Sequence, residues 1–540
     1  MWTRAYRWLD RTVLELGREV RLSYLPPLMV YLAAGVSGLT AIVGTFFVKD
    51  YLGLSAELLA ALAFWAMIPW ALKMPLGHLV DLIWRYKAVL VYAGAGLIAT
   101  SLLIMLGLLT RPQSMAELMP VETWYVLSVL LAPLGYVVQD VVADAMTVEA
   151  VPTLDEDGWP IAPERRRLMH TTMQTLGRVA IIGGGVVVAL LNVWLFRDVE
   201  GMDEPDKLAT YVRIYALALL IPAASVSGVI LGGLTKRREV RRLRALGHGP
   251  AAERLLRGRA EPTKPNAWIL GGSLVFVVFT LAVGLGDVPY NEEIVFLGSL
   301  SIVIFLITRL LRELTPEAGR LLLGTAIIIF VYRAVPTPGA GETWWMIDVL
   351  GFDQHFLSVL SLIGSSMALA AMFAFRRFMA DYSIAYIVGV LTILATLLAL
   401  PNVGLYFGVH HWTAAHTAGV VDARFIALVD TAVESPLGQV AMIPMLAWIA
   451  NSAPAHLKAT FFAVMASFTN LALSAGQLGT KYLNQVFTVT REVRGGANAM
   501  VTVPADYSEL GWLLLTVMAL GLVLPFAAIG VVKATRLRSA

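Results

Sequence analysis

The sequence predicts an all-α, polytopic membrane bundle, and three observations predict it. Only 15% of the 540 residues are charged and 58% are hydrophobic, whereas a soluble chain needs about a quarter charged residues to solvate its surface. The apolar residues come in continuous runs of the length that spans hydrocarbon as a helix, about 20 residues each. The runs do not alternate, which excludes a transmembrane barrel, and backbone inside lipid must satisfy its own hydrogen bonds. Spans are expected at 25–48, 55–75, 88–109, 123–149, 168–195, 209–235, 267–286, 292–312, 319–336, 354–375, 382–401, 424–450, 459–486 and 509–533. That makes fourteen, and an even number returns both termini to one side.

Lys and Arg in short loops set the orientation. With both termini in the cytoplasm, the cytoplasmic segments hold roughly 30 of the 41 basic residues. The expected location is a bacterial inner membrane. The densest basic run, from Lys236 to Lys264, is expected to form a cytoplasmic loop over 236–266. Beside a span, such a run holds topology or meets anionic lipid, and no nucleic-acid partner is expected. In residues 1–24, Trp2, Tyr6, Leu9, Val13, Leu16 and Val20 form an apolar stripe, with Arg4, Arg7, Arg11 and Arg18 mostly off it. That pattern predicts a helix lying in the interface, the alternative being a frayed tail.

The chemistry-bearing motifs of enzymes are missing. There is no cysteine, so no thiolate nucleophile or thiolate metal site. No phosphate loop, hydrolase elbow or zinc-protease signature occurs. His410, His411 and His416 cluster in an expected outer loop without a convincing fourth ligand. No cofactor and no metal are expected.

The spans of 25–235 and 319–535 repeat one layout. Lys49-Asp50-Tyr51-Leu52-Gly53 precedes the second span of the first set, and Ile347-Asp348-Val349-Leu350-Gly351-Phe352 precedes the second span of the other. Pro152 and Pro454 close the fourth span of each set. Two six-helix bundles in one orientation, with 267–312 as an inserted pair, suit alternating access to a site between them. A monomer is expected.

Ionisable groups inside hydrocarbon cost about 3 kcal/mol or more, so each is a site hypothesis. Span 123–149 carries Gln139, Asp140 and Asp144, the two carboxylates four apart on one face. Span 168–195 carries Gln174 and Arg178. Counting back from Pro152, Asp140 lies about 18 Å from the inner end, and Arg178 lies about 15 Å in from Leu168, at 1.5 Å per residue. An Asp140–Arg178 ion pair is therefore expected, with Asp144 nearby. Two carboxylates on one face discourage double ionisation, so one is expected to titrate near neutrality and couple protons to solute movement. The competing reading is an ion pair that only joins helices. Span 424–450 carries Asp430 and Glu434. By depth, Gln439 corresponds to Asp140 and Asn470 to Arg178. Glu434 is level with Gln477 and near Lys481, which predicts a second polar cluster.

Several of these segments resemble one family. Pro69-Trp70-Ala71-Leu72-Lys73-Met74-Pro75-Leu76-Gly77-His78-Leu79-Val80-Asp81, Gln139-Asp140 through Asp144-Ala145, and Gln174, Arg178 and Gly183-Gly184-Gly185 are similar to signatures of the folate–biopterin transporters. So are Ile443-Pro444 through Pro454, Lys458-Ala459-Thr460 through Ser467 and Asn470, and the stretch Pro336 to Phe352. Met74 stands where the family has proline, and Ala453 where cysteine precedes proline. The segment 77–87 also resembles the loop motif of the major facilitator superfamily, through Gly77, Asp81, Arg85 and Lys87. Gly77 would let helices approach, and Lys73, Gly77, Asp81 and Arg85 would form a conformational loop. The resemblance implies a major facilitator fold that moves folates or pterins with protons, with Asp140, Asp144 and Arg178 as leading site residues. The element Gln139-Asp140 to Asp144-Ala145 is also similar to the muropeptide permeases, which leaves a cell-wall fragment or another organic anion as the alternative solute. A third reading is a membrane assembly factor on the same scaffold.

Overall fold

The computed structural model describes residues 15–52, 54–71, 73–155, 159–257, 267–286, 288–312, 314–374, 382–452, 458–495, 500–535 and 537–539, with the side chains of 438–463 outside the description. Residues 1–14, which carry most of the expected interfacial helix, therefore lie outside the described residues, as do Pro454, the end of the basic run and the side chain of Gln439.

The chain is almost entirely helical. The long helices are α1 (Leu22–Phe47), α2 (Ala56–Leu82), α3 (Ala88–Thr110), α4 (Val121–Ala150), α5 (Pro163–Leu195) and α6 (Glu204–Ala245). They continue as α7 (Ala267–Leu285), α8 (Asn291–Leu311) and α9 (Pro316–Arg333). After the short α10 (Ala340–Asp348) come α11 (Gln354–Ala374), α12 (Ile384–Tyr406), α13 (Ala423–Ser452), α14 (Lys458–Val486) and α15 (Leu510–Ala534). Among the described residues, ten helices are long and apolar enough to cross a membrane.

Sequence chemistry sets the helix ends. α4 starts after Pro120, and α5 starts on Pro163, whose missing N–H is no loss in a first turn. The Thr315 hydroxyl accepts from the Ala318 N–H at 3.3 Å, and Ser383 caps α12 in the same way through Tyr386. The expected basic loop is largely helical. α6 runs on through Arg244, and a further helix covers Gly249–Arg257. Arg, Lys, Leu and Ala are good helix formers, and the buried Val240, Leu243 and Ala252 hold this extension together. The histidine segment is likewise a short helix, Val409–His416. Between α14 and α15 the chain forms a hairpin, Val493–Gly495 paired with Met500–Val503.

Small residues let the first six long helices meet closely. A Cβ on Gly94 of α3 would lie 2.7 Å from the Gly135 carbonyl oxygen, and one on Gly135 of α4 would lie 2.6 Å from that of Gly94. Ser101 and Ser128 extend this seam, each hydroxyl donating to the other's carbonyl at 2.8 and 3.0 Å. On α5, Gly184 packs on Gly35 of α1, and Gly185 faces Ser365 of α11. Such contacts are how membrane helices associate where lipid removes the hydrophobic drive. α2 packs along α14, and α5 along α11, joining the first six long helices to the last. α7 and α8 lie against α14 and α2.

Two ends of the bundle differ. The end bearing 236–257, called here the basic face, is tied by Lys87–Glu149 at 2.9 Å and by Arg242 donating to the Asp155 carbonyl at 3.1 Å. At the opposite face, Lys49 pairs with Asp348 at 2.6 Å. Those two residues come from the two repeated segments noted in the sequence.

Candidate functional site

The charged residues of α4 meet a cation that the sequence reading placed elsewhere. Lys73, on the half of α2 nearer the basic face, reaches Asp140 at 2.6 Å and Asp144 at 2.9 Å. Asp140 and Asp144 are one helical turn apart on α4, so one ammonium spans both. Tyr31 of α1 donates its hydroxyl to the other oxygen of Asp144 at 2.5 Å. Gly177 of α5 packs on the Tyr31 ring and holds it there, since a Cβ at that position would lie 2.9 Å from the ring. The Lys73 and Asp140 side chains are 19% and 13% exposed, and that of Asp144 is 41% exposed. Asp144 is thus the open end of the cluster.

Arg178 lies one residue beyond Gly177. Among the described residues it makes no ion pair with Asp140, and the expected Asp140–Arg178 pair is replaced by Asp140–Lys73. Arg178 is exposed, yet close enough to act electrostatically on Asp140 and Tyr31. Equal depth in the membrane does not make a pair. The side of α4 bearing Asp140 turns toward α2. Two cations and two carboxylates therefore share the site, and the guanidinium is the more accessible of the cations.

The remaining candidates divide. Gln139 is buried, donates to the Val91 carbonyl at 3.2 Å and accepts from Ser225 at 3.0 Å. It joins α4 to α3 and α6 and points away from the charged cluster. Gln174 donates to Thr147 at 3.2 Å, one turn from Asp144. Asn470 of α14 donates to the Trp70 carbonyl of α2 at 3.2 Å, across the seam from Lys73. Gln477 is half-buried on α14 and makes no side-chain hydrogen bond among the described residues.

The expected Glu434–Lys481 cluster is not formed. Lys481 pairs with Glu292 and Glu293 of α8, at 3.3 and 3.4 Å. Tyr482 donates to Glu293 at 2.5 Å and Trp65 donates to Glu292 at 3.4 Å. Glu434 and Asp430 instead neighbour Glu342 of α10, whose other partner is the Asn402 amide. Burial pushes the Glu342 carboxyl up to about 7. The Asn402 hydrogen bond opposes this, and the nearby Glu434 and Asp430 reinforce it.

The expected conformational loop is corrected too. Lys73, Gly77 and Asp81 lie on helix α2, and only Arg85 lies beyond it, in the turn Trp84–Tyr86. Gly77 has open space where a Cβ would stand, so it is no close-approach point. Lys73 is the site cation that sequence reasoning assigned to the wrong group. Its signal was present: a lysine just past Pro69-Trp70, within an apolar run.

Known proteins similar to this chain are membrane transporters. The BT1 family model matches residues 315–537. Over 484 residues, the chain is 24% identical to a folate–biopterin transporter of Synechocystis sp., covering 88% of this chain and 78% of that one. A POT-family peptide transporter shares the fold with a TM-score of 0.57 at 15% identity, covering 96% of this chain and 94% of that one. A nucleoside transporter superposes with a TM-score of 0.53 at 12% identity, over 94% of this chain and 99% of that one. A D-xylose–proton symporter gives 0.52 at 11% identity, over 94% and 95%. Identities this low establish the fold alone.

Proposed function

From a chain that is a multi-pass membrane relative of the folate–biopterin transporters, we propose a secondary transporter, working by alternating access, for an organic anion of folate or pterin type. Helices α1–α6 and α9–α15 act as two bundles of six spans, α10 lying between spans, with α7 and α8 as the inserted pair that completes fourteen. Both termini face the cytoplasm.

The observation that carries this reading is Lys73 held between Asp140 and Asp144, with Arg178 exposed beside them. A scaffold has little reason to keep four charges in hydrocarbon. A solute carboxylate entering this site meets Arg178 first, by bidentate pairing. It then competes with Asp144 for Lys73, because Asp144 is the more exposed of that ammonium's partners. Displaced from Lys73, Asp144 takes up a proton, and solute and proton move together. The polar contacts Lys49–Asp348, Glu57–Gln485 at 2.6 Å and Tyr211–Gln354 at 3.0 Å join the two bundles toward the face opposite the basic one. They support a state closed on that side, in which the site communicates with the basic face.

The test is thermal stabilisation of the purified protein by folate, 5-formyltetrahydrofolate, biopterin, an anhydro-muropeptide and a nucleotide. A ligand that binds only the folded state raises the melting point as its concentration passes its Kd. Stabilisation by folate, lost in Arg178→Ala, is the expected result. Stabilisation by the muropeptide alone would replace the solute, and no response to any of them would defeat the reading.

A further inference from the structure

A cavity of about 580 Å³ lies on the side of the charged cluster away from the basic face, among α1–α4 and α6 and lidded by the start of α10. That volume is within the ~300–1,000 Å³ of ordinary small-molecule sites. No residue lining it is charged. Its polar surface is mostly hydroxyls, and its flat surfaces are aromatic rings: Tyr125 and Tyr136 from α4, Tyr215 from α6 and Trp344 from α10. The Tyr136 hydroxyl lies beside Ser37, and that of Tyr215 beside Thr40.

The cavity and the charged cluster are stacked by the same helices. On α4, Ala132 and Tyr136 line the cavity, and Asp140 and Asp144 follow on the same face at intervals of four. On α2, Ala66 lines the cavity and Lys73 follows two turns later. Tyr136 and Asp140 are separated by ~6 Å of helix rise. A solute reaching from one to the other needs only a short linker.

The lining selects the chemistry of its occupant. A charged group would find no counter-charge there. The Tyr136–Ser37 and Tyr215–Thr40 hydroxyl pairs already bond to each other, and an aliphatic group would leave their remaining donor and acceptor capacity unmet. A flat, uncharged heterocycle with donors and acceptors on its edge would satisfy both rings and hydroxyls. We propose that this cavity is the ring subsite of the transported solute: an uncharged planar heterocycle sits between Tyr125, Tyr136 and Tyr215, and the anionic tail points toward Lys73 and Arg178. This rests on the transport reading above and adds a location and an orientation to it.

The test separates ring from tail. Three probes are titrated against the purified full chain: biopterin (ring without anionic tail), p-aminobenzoylglutamate (tail without pteridine) and folate. Ala132→Leu fills the cavity with a good helix former, and Tyr136→Phe removes one hydroxyl while keeping the ring. Lys73→Met removes the site ammonium. The expected result is that Ala132→Leu weakens biopterin and folate roughly 10-fold and spares p-aminobenzoylglutamate, with Tyr136→Phe doing the same by roughly 3-fold. Lys73→Met is expected to do the reverse, sparing biopterin. Melting points without ligand check that each variant is folded. If Ala132→Leu and Tyr136→Phe leave biopterin unchanged while Lys73→Met abolishes folate binding, the ring subsite is elsewhere and the transport reading stands. Equal weakening of all three probes by Ala132→Leu would also overturn the subsite. Binding of none of them to the unmodified protein would overturn both readings.

Discussion

Replacing Lys73 by methionine keeps an unbranched side chain only one atom shorter and removes its charge, which leaves Asp140 and Asp144 facing each other across one helical turn. In the intact cluster the ammonium lies 2.6 Å from one carboxylate and 2.9 Å from the other. Breaking a buried pair by removing one partner costs ~3–5 kcal/mol, because a charge is left uncompensated. Asp140, 13% exposed, falls under that figure, whereas Asp144, 41% exposed, is partly screened by its access to water. The expected loss is therefore ~2–4 kcal/mol, seen as a lower melting point in detergent. A second variant separates stability from recognition. Lys73→Met with Asp140→Asn restores the one net negative charge that Lys73, Asp140 and Asp144 carry together. It is expected to recover most of the lost stability, because the remaining carboxylate is the exposed one. It should not recover uptake into proteoliposomes, because the ammonium that receives the solute carboxylate is still missing. The reasoning is refuted if Lys73→Met melts with the unmodified protein and still transports. It is refuted as well if the double variant transports, since the ammonium would then serve only to balance charge.

Three further outcomes are expected. Gln139→Met loses the bonds to Val91 and Ser225, so it should lower the melting point while leaving solute affinity within about 2-fold, in contrast to Asp140→Asn, which should abolish coupled uptake; a large loss of affinity in Gln139→Met would place Gln139 in the site after all. Gly135→Ala puts a Cβ 2.6 Å from the Gly94 carbonyl oxygen and 2.7 Å from Ile98, so overpacking should cost ~1–3 kcal/mol, and an unchanged melting point would contradict the close α3–α4 contact. Glu342, whose carboxyl burial lifts from an ordinary 4.5 to about 7, binds its proton more tightly folded than unfolded. Its contribution to stability is complete below about 4.5 and fades as pH rises through 7. The melting point should fall across that window in the unmodified protein and fall less in Glu342→Gln, and parallel curves would show that Glu342 does not titrate there.

Much of the architecture was legible in the sequence. The span expected at 88–109 is Ala88–Thr110, and the one at 354–375 is Gln354–Ala374. Continuous apolar runs declare such helices because lipid allows the backbone little else. The basic run was misread as a loop because charge density alone shows that a segment leaves the membrane, not whether it stays helical. Val240 and Leu243, spaced three apart and buried, carried the missing signal. The site was half legible. Asp140, Asp144 and Arg178 stood out because charge in hydrocarbon is costly. Lys73 stood out too, but it was grouped with the loop that follows α2.

The sequence by itself determined where the long apolar helices run, how far along its helix each charged residue lies and which residues share a helix face. These follow from a rise of 1.5 Å and 3.6 residues per turn, which are properties of one helix alone. Only the tertiary structure decided which faces meet. It turned Asp140 toward α2 rather than α5, sent Gln139 into the α3–α6 seam, gave Lys481 to α8 and opened the tyrosine-lined cavity beside the charges. The rotation of each helix about its axis is set by packing against all of its neighbours at once, through close contacts such as Gly94 on Gly135 and Gly184 on Gly35. Periodicity along a single chain segment carries no information about that choice.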